Sequence, residues 1–255
     1  MSGPPSALIR ELVRDLPTVD DIRWVDRITS TNRVLGADDT VAAGTVLVAD
    51  VQTEGRGRRG RAWHAQAGTS LMLSILLRPT LPRESWSLLP LIAGTALVDA
   101  CLSATALAPG MVALKWPNDL LLEGVKAAGI LVESIGDRVV VGMGINTDWR
   151  SVERPPLVTA TSLADSAGGD VDRWVLLRHL LMAFDDHYRL AQRDPGGVVQ
   201  RYVPHCATLG VDVTAHTTTP LQGTAVGLTP DGHLRIRTEH GREHTVTAGE
   251  VEHLR

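Results

Sequence analysis

The chain has 255 residues, of which 44% are hydrophobic and 21% charged, which is ordinary for a soluble globular protein of one large domain or of a large and a small one. Its net charge of −4 argues against a broad DNA- or RNA-binding face, because such binding depends on neutralising phosphates. Cys101 and Cys206 are the only cysteines, so neither a disulfide framework nor a cysteine metal site is indicated.

The first elements are short. Ser6 to Leu16 has helical spacing and stops at Pro17, and Ile22 to Val25 resembles a strand. The N-terminus lacks a basic region followed by an apolar stretch, so no signal peptide is predicted and a cytoplasmic location is expected.

Ser30-Thr31-Asn32 precedes a short helical stretch that ends at Gly36. Ser30 and Thr31 are both candidate helix caps. The free N–H groups at such a helix start also form a binding site for anions or polar ligands. The sequence leaves both interpretations open.

An arginine loop, Gly55–Arg61, lies between two predicted strands, Thr45–Val51 and Ser70–Leu77. Four of its seven residues are arginine and three are glycine, so it cannot bury an apolar face. Guanidinium groups bind phosphate and carboxylate oxygens with two parallel hydrogen bonds. Because the loop carries +4, the rest of the chain carries −8. This contrast favours a flexible loop that closes over a small anion rather than a linker or a nucleic-acid arm.

Lysine is used at only two positions, Lys115 and Lys126, although the chain has 25 lysines and arginines in total. Their isolation indicates places where a compact ammonium is needed, although an incidental surface position is the alternative.

A long helix is predicted from Trp86 to Ala106. The apolar stretch around it contains Pro90, Gly94 and Asp99, which predicts a core helix rather than a membrane span. Four further strands and a long helix follow it, with a loop at residues 150–159 between strands and helix. The strands are predicted at Met111–Trp116, Leu120–Leu122, Lys126–Val132 and Arg138–Ile145. The helix is predicted at Asp170–Arg193 and ends before Pro195-Gly196-Gly197.

The composition changes at about Leu209, where short alternating runs of Val, Thr and Gly begin. Asp231-Gly232 has the sequence of a two-residue hairpin turn. This part predicts a small all-β module, an SH3-like barrel.

With these elements placed, the chain closely resembles the biotin protein ligases. The resemblance is carried by five segments in order: Ser30-Thr-Asn32, Gly55-Arg-Gly-Arg-Arg-Gly-Arg-Ala-Trp63, Lys115-Trp-Pro-Asn-Asp119, Lys126-Ala-Ala-Gly-Ile-Leu-Val-Glu133 and Gly142-Met-Gly-Ile-Asn146. It implies an α+β fold: a class II synthetase-like mixed sheet flanked by helices in residues 1–207, and the SH3-like barrel in residues 208–255.

The resemblance also implies a reaction in two steps. Biotin and ATP give biotinyl-5′-AMP and pyrophosphate, and a lysine amine of a biotin carboxyl carrier domain then takes the biotinyl group. Magnesium on the ATP phosphates is expected. Since only 29 residues precede Ser30, we expect no DNA-binding domain there and no repressor function. Nucleic acid and membrane are not expected partners, and the oligomeric state is not predicted.

The site residues follow from the same motifs. Catalytic roles fall to Lys126, Arg56 and Arg58, which offset the repulsion between carboxylate and phosphate. Biotin binding is expected of Ser30, Thr31, Asn32, Gln52, Arg56, Gly57, Arg58, Lys126 and Gly129. Nucleotide binding is expected of Arg61, Trp63, Lys115, Asn118 and Asn146. Asp119 is expected near either the acceptor lysine or magnesium.

Two other functions compete with this one. The lipoate ligases and octanoyl transferases have a similar catalytic core, although the arginine loop favours biotin. A nucleic-acid-binding module that uses the same loop is the more remote alternative, since the rest of the chain is acidic.

Overall fold

The computed structural model describes residues 3–152, 159–217, 219–247 and 249–254. Seven strands form the larger sheet, in the order β1-β2-β3-β7-β6-β5-β4. Only β1 and β2 pair in parallel within the described residues, so the sheet is mixed. The strands are β1 (Asp21–Ile28), β2 (Thr45–Gln52), β3 (Ser70–Leu77), β4 (Val112–Lys115), β5 (Asp119–Leu122), β6 (Val125–Ile135) and β7 (Arg138–Asn146).

Helices pack on both faces of this sheet, as predicted for the α+β fold. They are α1 (Ser6–Asp15), α2 (Thr31–Ala37), α3 (Leu89–Ala104), α4 (Leu163–Ala167), α5 (Arg173–Arg193) and α6 (Pro195–Tyr202). The main core joins α1, α3, α5 and α6 to one face, which Val46 and Val48 of β2 help to form. The alternate residue Leu47 faces a smaller cluster under α2. The larger helices therefore leave the α2 face free for a site.

The apolar stretch predicted as a core helix is buried as α3. The segment at residues 83–104 is long and apolar enough to cross a membrane, but 67% of its apolar 18-residue window is buried inside the protein. The helix begins at Leu89, after a 3₁₀ turn at Arg83–Leu88, rather than at Trp86 as predicted.

Two helix boundaries differ from the sequence prediction. Gly36 does not stop α2, which continues to Ala37. Pro195-Gly196-Gly197 does follow the end of α5, but it also begins α6, which was not predicted. The Asp194 side chain accepts a hydrogen bond from Gly197 N, and proline is well tolerated in a first helical turn. Of the loop predicted at residues 150–159, residues 153–158 lie outside the described part of the chain.

The C-terminal part forms a second, five-stranded antiparallel sheet, in agreement with the predicted all-β module. Its order is β11-β10-β9-β8-β12. The strands are β8 (Asp212–His216), β9 (Leu221–Leu228), β10 (Leu234–Arg237), β11 (Glu243–Val246) and β12 (Glu250–His253), the last of which was not predicted. The turn at Asp231-Gly232 joins β9 to β10 as expected, with Gly232 at φ +78.

The two sheets are joined through Trp116. Its Nε1 donates to Gly232 O over 2.9 Å, and its main-chain N donates to Thr208 Oγ1 over 2.9 Å. Trp116 is only 3% exposed. The residues that follow β4 are therefore held directly against the C-terminal sheet.

Candidate active site

One cavity of about 600 Å³ lies on the α2 side of the larger sheet. All fifteen residues predicted from the sequence line it: Ser30, Thr31, Asn32, Gln52, Arg56, Gly57, Arg58, Arg61, Trp63, Lys115, Asn118, Asp119, Lys126, Gly129 and Asn146. Sequence segments more than a hundred residues apart therefore converge on a single site. Their individual contacts with a ligand stay predictions.

The polar floor of the cavity consists of Ser30, Thr31, Asn32 and Gln52. Ser30 caps α2, and its side chain accepts a hydrogen bond from Arg33 N. Thr31 N donates to Gln52 Oε1 over 2.7 Å, which ties the start of α2 to the end of β2. Ser30 thus caps the helix, and the N–H groups of Thr31 and Arg33 already have partners within the protein. A ligand contact at this helix start stays a prediction.

Asn32 lies flat across the sheet over Gly142. A Cβ atom on Gly142 would come within 2.1 Å of Asn32 Oδ1, so no other residue fits there without a shift. Asn32 Nδ2 donates to Leu131 O over 3.2 Å and to Glu133 Oε2 over 2.8 Å. These bonds hold the amide to β6.

The arginine loop is folded as a small hairpin. Gly57 N donates to Arg61 O over 2.7 Å, and Trp63 N donates to Gly55 O over 2.9 Å. A 3₁₀ turn at Arg58–Gly60 forms its tip, where Arg59 has φ 57. The tip is therefore ordered by its own backbone hydrogen bonds rather than by apolar packing.

Arg58 turns into the cavity and donates through Nη1 to Asn118 Oδ1 over 2.9 Å. Burial lowers the pKa of this guanidinium from its ordinary value, and Asp119 partly offsets the effect. Arginine nevertheless stays protonated at any working pH. Arg58 is thus a partly desolvated cation inside the site.

Arg59 and Arg61 turn the other way, toward the C-terminal sheet. Arg61 forms an ion pair with Glu250, and Arg59 Nη1 lies 3.6 Å from the same carboxylate. Arg59 Nη2 also donates to His216 O over 2.6 Å. The hydrogen bond from Arg61 is the largest cause of a lowered pKa of Glu250.

Glu250 lines the cavity and was missed by the sequence analysis. Nothing in its local sequence distinguishes it from the many other surface carboxylates. Only the packing of the C-terminal sheet against the arginine loop brings it to the site.

Lys126 Nζ donates to Asp119 Oδ1 over 2.6 Å, and Asn118 Nδ2 donates to the same oxygen over 3.1 Å. The two charged side chains are about one third and one quarter exposed, at 34% and 23%. Asp119 thus balances the charge of Lys126, which is a role that the sequence did not indicate. Asn118 links this pair to Arg58.

Trp63 lies against two glycines that are cross-strand partners, Gly129 of β6 and Gly144 of β7. A Cβ atom on Gly144 would approach the indole to 2.6 Å, and one on Gly129 to 3.1 Å. The missing side chains therefore make room for the ring. The Trp63 Nε1 atom is buried and has no hydrogen-bond partner within the described chain.

Lys115, at the end of β4, and Asn146, at the end of β7, also line the cavity. Burial, and secondarily the charge of Lys115, lowers the pKa of His253 on β12. Asn146 is 2% exposed, and its Nδ2 donates to Thr161 O over 3.0 Å. Asn146 therefore braces the chain after β7, and its predicted nucleotide contact stays a prediction.

No group of three or more His, Cys, Asp or Glu side chains suited to a metal ion occurs among the described residues. Cys101 and Cys206 are free and buried, as expected, and burial raises the pKa of Cys101 to about 12.

The family of the chain follows from comparison with known proteins. Residues 24–148 match the Biotin/lipoate A/B protein ligase family, and residues 208–254 match the Biotin protein ligase C terminal domain. The chain is 35% identical over 215 residues to the biotin–[acetyl-CoA-carboxylase] ligase of Mycobacterium tuberculosis, covering 83% of this chain and 80% of that protein. The chain belongs to the biotin protein ligase family.

Other biotin protein ligases support the same conclusion. The bifunctional ligase/repressor BirA of Bacillus subtilis is 32% identical over 227 residues, with 85% of this chain and 69% of that protein covered. The structure of the Aquifex aeolicus biotin protein ligase in complex with biotin and ATP matches with a TM-score of 0.79 and 31% identity, over 92% of this chain and 99% of that one. These relatives favour a biotin ligase over the lipoate ligase alternative.

Proposed function

We propose that the protein ligates biotin to a lysine of a carrier protein, with ATP as the energy source and biotinyl-5′-AMP as the intermediate. The observation that carries this proposal is the cluster of Arg58, Asn118, Asp119 and Lys126 in the single cavity that the family motifs line. Similarity to ligases whose structures contain biotin and ATP supports the same choice of substrates.

The first step brings two anions together. The biotin carboxylate attacks the α-phosphorus of ATP, the bond to the β-phosphate breaks, and pyrophosphate leaves. Lys126 and Arg58 supply preorganised positive charge where this repulsion arises, and partial burial strengthens their effect. Arg56, at the base of the loop, is the further clamp in this proposal.

Lys126 has to exchange partners during this step. Its ammonium is bound to Asp119 in the structure, and we propose that the carboxylate and α-phosphate of the reactants take the place of Asp119. A lysine suits this exchange because its single charge can rotate among oxygens, whereas a bidentate arginine cannot do so as easily.

The second step releases AMP. The carrier amine attacks the acyl carbon of the mixed anhydride, the bond to the phosphate oxygen breaks, and the amine loses a proton. Asp119, released from Lys126, is the carboxylate of the cavity best placed to orient that amine. Its alternative role near magnesium stays open to the test below.

Magnesium fits the donor set only as an ion held mainly by the nucleotide. Mg²⁺ usually keeps several waters and is bound by one or two carboxylates together with substrate phosphates. Asp119 and Glu250 are carboxylates of the cavity lining, and both are already paired with cations. The ion would supply charge neutralisation on the phosphates.

Three broader points belong to this proposal. The start of the C-terminal domain match at residue 208 supports two domains, residues 1–207 and 208–255. Similarity to a biotin–[acetyl-CoA-carboxylase] ligase supports the carrier domain of a biotin-dependent carboxylase as the partner. A cytoplasmic location stays a prediction.

The direct test mixes purified protein, ATP, Mg²⁺ and biotin with a biotin carboxyl carrier domain. Mass spectrometry is expected to show one added biotinyl group on the carrier, and lipoate in place of biotin is expected to give no adduct. Absence of the biotin adduct beside an active control ligase would contradict the proposal.

The Asp119→Asn variant distinguishes the two roles proposed for Asp119. Loss of transfer to the carrier with normal adenylate formation supports the role in orienting the amine. Loss of adenylate formation supports the role near magnesium.

A further inference from the structure

Two side chains outside the cavity lining support its polar floor. Ser74 on β3 is fully buried, and its Oγ lies 2.6 Å from Asn32 Oδ1 and 2.7 Å from Thr31 Oγ1. Glu133, half-buried on β6, lies 2.8 Å from Asn32 Nδ2. These contacts join the two side chains to the floor through one hydrogen-bond chain.

The orientation of the Asn32 amide is fixed by what surrounds it. Its NH₂ group faces Leu131 O and the Glu133 carboxylate, which both accept hydrogen bonds. The opposite orientation would set the amide oxygen against two acceptors. Asn32 Oδ1 therefore faces Ser74, where it can only accept.

The directions of the hydroxyl protons follow from this orientation. Ser74 lies within reach of Asn32 Oδ1 and Thr31 Oγ1 and has one proton, which goes to Asn32 Oδ1 because that amide oxygen can only accept. Thr31 Oγ1 is left between Ser74 Oγ at 2.7 Å and Gln52 Oε1 at 3.1 Å. Gln52 Oε1 already accepts from Thr31 N, so both neighbours act as acceptors. The Thr31 proton therefore points into the protein, and its lone pair remains for the cavity.

We propose that Glu133 and Ser74 are positioning residues that set the hydrogen-bond polarity of Thr31, so that Thr31 accepts an N–H group from the ligand. The proposal rests on the function proposed above, in which the ligand carries the cyclic urea of biotin with its two N–H donors. The neighbouring Ser30 accepts from Arg33 N and keeps its own proton for a carbonyl oxygen. Donor and acceptor thus alternate along the floor as the urea requires.

The first experiment measures KM for biotin and for ATP separately. Ser74→Ala and Glu133→Leu are expected to raise KM for biotin about 10- to 100-fold, the range for a buried N–H group left without its acceptor. KM for ATP and kcat are expected to stay within about twofold. Glu133→Gln keeps an acceptor oxygen and is expected to restore most of the affinity. Glu239→Leu, an exposed carboxylate of the C-terminal sheet, is the matched control.

The second experiment tests polarity itself by calorimetry. The probes are biotin and the two carbamate analogues in which one ring N–H is replaced by oxygen. The parent is expected to bind one analogue much more weakly than biotin, namely the one whose ring oxygen faces the lone pair of Thr31 Oγ1. In Ser74→Ala the Thr31 hydroxyl is free to turn and donate, so this discrimination is expected to fall about tenfold.

The outcomes separate this proposal from the proposed function. If the parent binds biotin but discriminates like Ser74→Ala and Glu133→Leu, the polarity role is wrong and the function stands. If KM for ATP rises in parallel with KM for biotin, the two residues only support the fold. If the parent does not bind biotin, both the proposed function and this proposal are wrong. Should Ser74→Ala not fold, the half-buried Glu133→Leu gives the same decision.

Discussion

The two sides of the cavity are held in opposite ways. On the polar floor, Ser30, Thr31 and Asn32 are 2%, 3% and 5% exposed, and hydrogen bonds tie Thr31 and Asn32 to strands of the sheet. At the tip of the arginine loop, the Arg59 and Arg61 side chains are 51% and 60% exposed and pair with Glu250. The floor is thus part of the core, whereas the loop tip is held by its own backbone hydrogen bonds and by side-chain ion pairs that solvent screens.

This difference assigns ligand recognition to the polar floor and closure of the cavity to the arginine loop. Buried hydrogen bonds are costly to leave unmade, so the floor presents one fixed arrangement to a ligand. Exposed ion pairs contribute about 0–1 kcal/mol each, so the loop can open and close at little cost. A site that must admit two substrates and then retain a reactive intermediate needs both properties.

The largest effect is expected from Lys126→Ala, which removes the ammonium that the proposal places between the two anionic reactants. Adenylate formation is expected to fall by about 10²- to 10³-fold or more, since the reactants lose preorganised positive charge. Single-turnover assays with labelled ATP measure this step, and circular dichroism checks that the fold is retained. A parent-like rate would refute the proposed role.

Arg56→Ala weakens the loop side alone. We expect the adenylate to escape about tenfold faster, because one of the cations that hold its anionic centre is lost. A chase with unlabelled biotin after single-turnover adenylation measures the escape rate. Arg242→Ala, at an exposed arginine between β10 and β11, is the control. Equal escape rates of the adenylate in the two variants would show that Arg56 does not hold the adenylate.

Glu250→Gln tests the ion pairs between the arginine loop and Glu250 of the C-terminal sheet. Escape of the adenylate is expected to rise only about two- to fivefold, as for an exposed ion pair. Amide exchange at residues 55–61 is expected to accelerate in the ligand-free variant and to slow when biotin and nucleotide bind. In 1 M salt the parent is expected to approach the variant, because screening weakens the pair. A salt-independent difference would contradict this account.

The smallest effect concerns pH. Because the Arg61 hydrogen bond lowers the pKa of Glu250, the contact is complete above the ordinary glutamate value of 4.5 and is lost as the pH falls through the lowered value. Carboxyl NMR is expected to show Glu250 titrating at lower pH in the parent than in Arg61→Ala. Identical titrations in the two proteins would show that Arg61 does not hold the carboxylate.

Much of the site was predictable because its residues lie in short, specific motifs. The arginine loop and the segments at Lys115–Asp119 and Lys126–Glu133 each place several polar groups at fixed spacing, and all the predicted residues line the cavity. Most elements of the main sheet were predicted as well, because strands such as β3 are continuous apolar runs.

What the sequence could not supply depends on contacts between distant segments. Glu250 becomes a site residue only where β12 approaches the arginine loop. Ser74 sits in an apolar strand, where its hydroxyl had no evident partner until α2 was placed above it. The helix α6 was missed because Pro-Gly-Gly usually ends helices, and here it also begins one.

The glycine pair beneath Trp63 has a practical consequence for changing what the enzyme accepts. The sheet already lacks side chains at Gly129 and Gly144, so nothing further can be removed on that side to enlarge the chamber. Any redesign that enlarges this part of the chamber has to trim the indole itself, and replacements such as leucine or alanine at that position are the natural starting library.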